Sequence, residues 1–162
     1  MKKMMLSCVV ALGLGVTVQA QTKISGSSQC NKPEQQNSIE VGDKPGHVFA
    51  IAKQTCTWTK PLEIAGMTNK EYTSAISSEV MGTKERDRGI AVDSWSSGDK
   101  SYVHWQGTGT VQDGKVVGQE GTWSFAGGTG KLKGIKGKGT YKCTAAGDGA
   151  NCEVQGEYEL GQ

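Results

Sequence analysis

The chain has 162 residues, enough for one domain, with 18 basic against 16 acidic residues and a formal net charge of +2. So balanced a charge argues against a dedicated nucleic-acid binder or a polybasic membrane-surface protein. The two histidines, His47 and His104, lie far apart and no C-x-x-C occurs, so neither a tetrahedral zinc site nor a thioredoxin-like redox centre finds support, and no cofactor is implied.

Lys2 and Lys3 precede the apolar run MMLSCVVALGLGVTV, and Val18-Gln19-Ala20 offers a small residue at a cut. This pattern predicts a secretory signal peptide over 1–20, cleaved after Ala20, and an exported protein, periplasmic or extracellular. The run is shorter than the roughly 20 residues a membrane span needs, so an integral membrane protein is not expected. Residues 21–37 read as a polar, irregular leader, and 38–162 as a single domain. Removal of the first 20 residues leaves 16 basic and 16 acidic residues, and four of the five cysteines. An even cysteine count in an exported chain implies a disulfide framework.

Ser38–Val41 and His47–Trp58 read as strands flanking the turn Gly42–Gly46. The second places Val48, Ala50, Ala52, Gln54, Cys56 and Trp58 on one face, and Pro61 should end it. Glu71–Val80 follows, with Tyr72, Ile76 and Val80 together. Lys84–Arg88 opens a strand through Ile90–Trp95, its charges weighed as a solvated strand start rather than pocket charges. Ser97–Lys100 is a turn, and Tyr102–Val111 and Val116–Phe125 form a hairpin about Asp113-Gly114, a type I′ signal. In a simple two-residue register this sets Val111 against Val116, His104 against Trp123 and Tyr102 against Phe125.

The C-terminal hairpin specifies its own pairing. With Cys143 opposite Cys152, Tyr141 meets Val154, Gly139 meets Gly156 and Gly137 meets Tyr158 on one face. On the other, Lys142, Lys138 and Lys136 meet Glu153, Glu157 and Glu159, each pair contributing about 0.2–1 kcal/mol. A slip of one residue would carry those charges into the core. This register favours Cys143–Cys152 and leaves Cys30–Cys56. The lysines here are therefore a neutralised, solvated face. About eight strands with short turns and no long amphipathic helix predict an all-β antiparallel barrel clasped by disulfides.

Gly127-Gly128-Thr129-Gly130-Lys131 fails as a phosphate-binding loop, because Phe125 and Leu132 occupy its required glycine and hydroxyl positions. The segment from Phe125 to Gly137, with Gly118–Trp123 before it, resembles the G-G-T-G-K-[FL] signature of the allene oxide cyclase/dirigent barrel superfamily. The resemblance implies an eight-stranded antiparallel barrel with a pocket at one end, self-association into a homo-oligomer, and small, largely apolar substrates. It carries over no catalytic residue.

From the strand registers themselves, Tyr102, His104, Trp123 and Phe125 form the candidate ligand-binding face. If Gly98-Asp99 is a two-residue turn, Asp93 faces His104 and Trp95 faces Tyr102. A carboxylate beside an imidazole would make His104 and Asp93 a candidate catalytic pair. A three-residue turn removes Asp93 from that face, and both registers stay open. The expected function is non-enzymatic binding of a small apolar or amphipathic molecule in the barrel mouth. The alternatives are an isomerase using His104, and an envelope scaffold meeting a partner through its outer surface, with Trp105 exposed.

Overall fold

The computed structural model describes residues 21–161, and the expected signal peptide lies outside them. Ten strands follow one another: β1 (Thr22–Cys30), β2 (Gln35–Glu40), β3 (His47–Lys60), β4 (Glu63–Ile64), β5 (Met67–Met81), β6 (Lys84–Trp95), β7 (Lys100–Gln112), β8 (Lys115–Gly128), β9 (Lys136–Ala146) and β10 (Gly149–Glu159). A single 3-10 turn, Gly130–Leu132, joins β8 to β9. Every barrel pairing is antiparallel, and the contacts of β3 with both β1 and β5 close the sheet into an eight-stave barrel.

The closing stave is not the expected one. Thr22–Cys30, anticipated as irregular leader, is a strand paired with β10 on one edge and β3 on the other. Its small residues hid it: Ile24, Gly26, Ser28 and Cys30 alternate inward and are buried, but only Ile24 is a strongly apolar side chain. The anticipated strand at Ser38–Val41 belongs to β2, which continues along the same edge of β3 from Gln35↔Lys53 to Glu40↔Val48. Thus β1 and β2 occupy successive halves of one stave.

The C-terminal hairpin has the predicted register throughout, from Glu159↔Lys136 to Cys152↔Cys143. Both disulfides form, Cys30–Cys56 and Cys143–Cys152, as in chains that fold in oxidising compartments. Asp113 and Gly114 both have positive φ, the I′ geometry that their sequence promised. Pro61 follows the last residue of β3. No helix among the described residues is long and apolar enough to cross a membrane.

One end of the barrel is filled. Ile24, Trp58, Leu62, Ile64, Met67, Trp95, Trp123, Leu132, Ile135 and Tyr158 form its core. The β4 hairpin and the 3-10 turn supply Leu62, Ile64 and Leu132 as a plug, all but inaccessible to solvent. Large rings there lie against glycines on neighbouring strands. The Trp105 ring covers Gly89, and Trp123 lies over Gly139 and Gly156. Through the gap those two glycines leave, the Trp123 indole N–H reaches the backbone oxygens of Thr140 and Gln155, each at 3.3 Å. A methyl group at any of the three would collide with the ring, which explains the glycine-rich strands in packing terms.

Candidate functional site

Strand alternation decides which side chains reach the lumen, so each bulge reassigns a face. A register shift between Thr110 and Val111 does this in the β7–β8 pair, with Val117 as the extra residue on β8. Val111 still faces Val116, but beyond the shift Trp105 faces Trp123, Val103 faces Phe125 and His104 faces Ser124. Trp123 is buried inside while Tyr102 and His104 are exposed outside. The expected four-residue face therefore does not assemble. His104 instead lines an open outer groove with Gln106, Thr122, Ser124, Lys138 and Glu157.

The second correction concerns Asp93. The β6–β7 loop is longer than either turn considered, its Trp95 N–H bonding Asp99 O at 3.0 Å, and it sets Asp93 opposite Ser101 and Ile90 opposite His104. The Asp93–His104 pair does not exist. Asp93 points inward and accepts from Trp58 Nε1 at 3.0 Å, Asn69 Nδ2 at 3.3 Å and Ser101 Oγ at 3.4 Å. Trp95 Nε1 donates to the same Ser101 hydroxyl at 3.0 Å. Burial lifts the Asp93 carboxyl to about 6 against the pull of its three donors. This satisfied network pins the plugged end together. Trp105 is likewise not exposed: it faces inward, half-buried and edge-on to Tyr141 at 6.0 Å.

The lumen chemistry lies nearer the opposite end, in the charged stretch expected to be solvated. Alternation splits it: Arg86 and Arg88 are exposed outside, while Glu85 and Asp87 are buried inside, at 9% and 6% exposure. Asp87 belongs to a cross-strand row that can be followed through six adjacent staves. Ala50 faces Ser78, Ser78 faces Asp87, Asp87 faces Gly107, Gly107 faces Gly121 and Gly121 faces Tyr141. Four of Asp87's row neighbours thus carry little or no side chain. Across the two glycines lies the ring of Tyr141, its hydroxyl directly above Gly107. The wall beyond is apolar and half-exposed though it faces inward: Val48, Ala50, Ala52, Ile76 and Val80. This end is the barrel's mouth.

Asp87 is the anomaly. Both of its carboxylate oxygens are buried without a hydrogen-bond partner, and so is the Tyr141 hydroxyl. Buried polar groups are nearly always partnered, since an orphan costs about 1–3 kcal/mol. Burial, and then the neighbouring Glu85 charge, push the Asp87 carboxyl up to about 7, only softened by the nearby backbone N–H groups of Asp87 and Gly107. Glu85 is raised by burial and held back by a hydrogen bond to Ser78. Burial also raises Tyr141, reinforced by the charges of Asp87 and Glu85. Tyr72, bonded to Ser28 Oγ at 3.0 Å, is pushed by burial to about 12. A carboxyl near 7 with open lone pairs can accept hydrogen bonds, bind a positive charge or exchange a proton at neutral pH. Among the described residues no cluster suits a metal ion.

The sequence held a signal for this site. Glu85, Asp87, Gly89, Ala91, Asp93 and Trp95 share one phase of an alternation that places Arg86, Arg88, Ile90 and Val92 on the other. Ile90 and Val92 suggested the opposite phase, and both lie on the outer face, Ile90 half-exposed at 50%.

No known family matches this chain by sequence, and no curated protein does. Solved structures do match. A protein of unknown function from the DUF3224 family of Shewanella oneidensis MR-1 superimposes with a TM-score of 0.53 at 13% identity, over 88% of this chain and 99% of its own. The pterocarpan synthase dirigent protein GePTS1 gives 0.50 at 12% identity, over 91% and 90%. What they share with this chain is the fold. The likeness agrees with the dirigent-type barrel that the GGTGKL segment suggested and, at such identity, carries no chemistry with it.

Proposed function

We propose that this protein is exported and that its barrel lumen binds a small amphipathic molecule, polar end at Asp87 and Tyr141, apolar end along the wall of β3 and β5. The observation that carries this reading is Asp87, buried with two unpartnered oxygens in a row of glycine, alanine and serine. A ligand bringing a hydrogen-bond donor would end that deficit, and the half-exposed Val48, Ala50, Ala52 and Val80 give it an apolar seat. The two disulfides support the exported part of the reading.

The test uses N-phenyl-1-naphthylamine, a neutral aryl amine with one N–H. Saturable quenching of tryptophan fluorescence, with a rise in melting temperature, is expected for the natural chain. Both should be lost in Ala50→Phe, which fills the mouth. If neither this probe nor a panel of lipids and phenols gives a saturable response, the lumen is not a binding site.

A second reading, an isomerase working in the same lumen, draws support from a carboxyl held near 7, which could both take and return a proton. It assigns no role to His104, whose imidazole lies outside. Turnover that survives Asp87→Asn would dismiss it.

A further inference from the structure

We propose that the molecule taken up by the lumen is an organic cation, its ammonium group seated between Asp87 and Glu85. The inference rests on the lumen-binding reading and adds the ligand's charge.

Three carboxyl groups face the interior, Glu85, Asp87 and Asp93, and no positive group faces them. Every described lysine and arginine is exposed. His47 is held on the outer face between Asp43 at 2.6 Å and Glu79 at 3.0 Å, and His104 is exposed on that same side of the sheet. A closed barrel of this size with acids alone inside is electrostatically one-sided.

The three acids are not equivalent. Asp93 is saturated by Trp58, Asn69 and Ser101, so nothing remains for a ligand. Glu85 is raised by burial and eased by the nearby Ser78 hydroxyl. Asp87 has no side-chain partner, is more than nine-tenths buried and stands opposite Gly107, over which the Tyr141 hydroxyl lies. Glu85 and Asp87 stand two residues apart on one strand face, so their charges repel at close range within low-dielectric walls. A neutral donor would fill lone pairs but leave that repulsion. An anion would add to it. Only a cation answers both, and an ammonium brings donors for two carboxylates at once. The ring of Tyr141, lying across Gly121, adds an aromatic face beside the same spot.

The test compares three six-carbon probes of matched shape, hexylammonium, hexanol and hexanoate, by calorimetric titration and melting shift at pH 8. The natural chain, Asp87→Asn and Glu85→Gln are run side by side, each checked for a native circular dichroism spectrum. Hexylammonium is expected to bind about tenfold more tightly than hexanol, the share of one charge-assisted hydrogen bond, with hexanoate weakest. The ammonium advantage should vanish in Asp87→Asn and shrink in Glu85→Gln. Equal affinity for hexylammonium and hexanol overturns the cation inference and leaves lumen binding standing. So does an ammonium advantage that survives both variants, since it would come from the outer surface. If none of the three binds the natural chain while N-phenyl-1-naphthylamine does, the cation inference falls and lumen binding stands; failure of that probe and its panel as well removes the lumen reading itself.

Discussion

Replacing Asp87 with asparagine should make the protein more stable in mild alkali and slightly less stable in acid. The folded chain holds the Asp87 proton up to about 7, whereas the unfolded chain releases it near the ordinary 3.8. Because the folded-state value is raised, the natural protein loses stability as pH climbs through that interval, and the full loss is reached above it. The gap corresponds to a ceiling of about 4 kcal/mol. Asparagine keeps the shape but leaves its own amide unpartnered, at a cost of about 1–2 kcal/mol, so a net gain of about 2 kcal/mol is expected at pH 8. For a domain this size that is about 4–8 °C in melting temperature. The assay is thermal unfolding of both proteins at pH 4, 6 and 8, without ligand. The variant should be the less stable of the two at pH 4, by about the 1–2 kcal/mol amide cost, and the more stable at pH 8, the curves crossing between. An offset independent of pH, or a variant less stable at pH 8, would mean that Asp87 is not a buried, unpaired acid.

Gly107→Ala should cost about 1–3 kcal/mol, because its methyl group would meet the Tyr141 hydroxyl and the Glu120 carbonyl; an unchanged urea midpoint would refute the packing. Loss of the Cys30–Cys56 bond, which spans 26 positions, should cost about 3.5 kcal/mol, against about 2.7 for Cys143–Cys152, which spans 9. Paired Cys→Ser variants compared by denaturant unfolding would show the ranking, and a reversal would count against it. The His47 imidazole, hydrogen-bonded by Asp43 and then Glu79, should titrate above its ordinary 6.5. Its stabilisation is therefore complete below 6.5 and fades as pH rises through the raised value, and a lower midpoint by NMR would contradict the clasp. His104→Ala should leave probe binding in the lumen untouched and shift stability by no more than about 0.5 kcal/mol; a lost response would return the imidazole to the site.

The strands legible in the sequence were those whose faces differ sharply. On β9 and β10 lysines oppose glutamates while glycines and aromatics oppose one another, and one register alone satisfies both faces. On β3, cysteine and tryptophan mark the inner side at Cys56 and Trp58, although Phe49 and Ile51 blur the first half from the outer face. Where the inner side is made of serine, glycine and cysteine, as in β1, hydrophobic alternation has nothing to report, and closure of the barrel is read only from its backbone pairing. The candidate site failed for a different reason. The Asp113-Gly114 turn was recognised, yet one extra residue just after it, Val117 on β8, shifted every pairing beyond by one position. Bulges leave little trace in composition, and one extra residue moves every later side chain to the opposite face. The acid pair went unread because burying carboxylates runs against expectation, and such exceptions gather where function does.

The stave formed by β1 also sets an order of assembly. Its partners are β10, at the far end of the described chain, and β3, only a short distance along it. Pairing with β10 requires closing a loop of nearly the whole domain, a slow step that must wait until β10 has been made. Oxidation of Cys30 with Cys56 offers a shorter route: once made, it holds β1 against β3 and leaves β10 a prepared edge on which to dock. Until that docking, the half-built barrel shows an unpaired edge at β10 and an uncovered Trp123, the surfaces through which unfinished sheets aggregate. The Cys30–Cys56 bond, by tying β1 to β3 ahead of β10, leaves one edge fewer to be closed late.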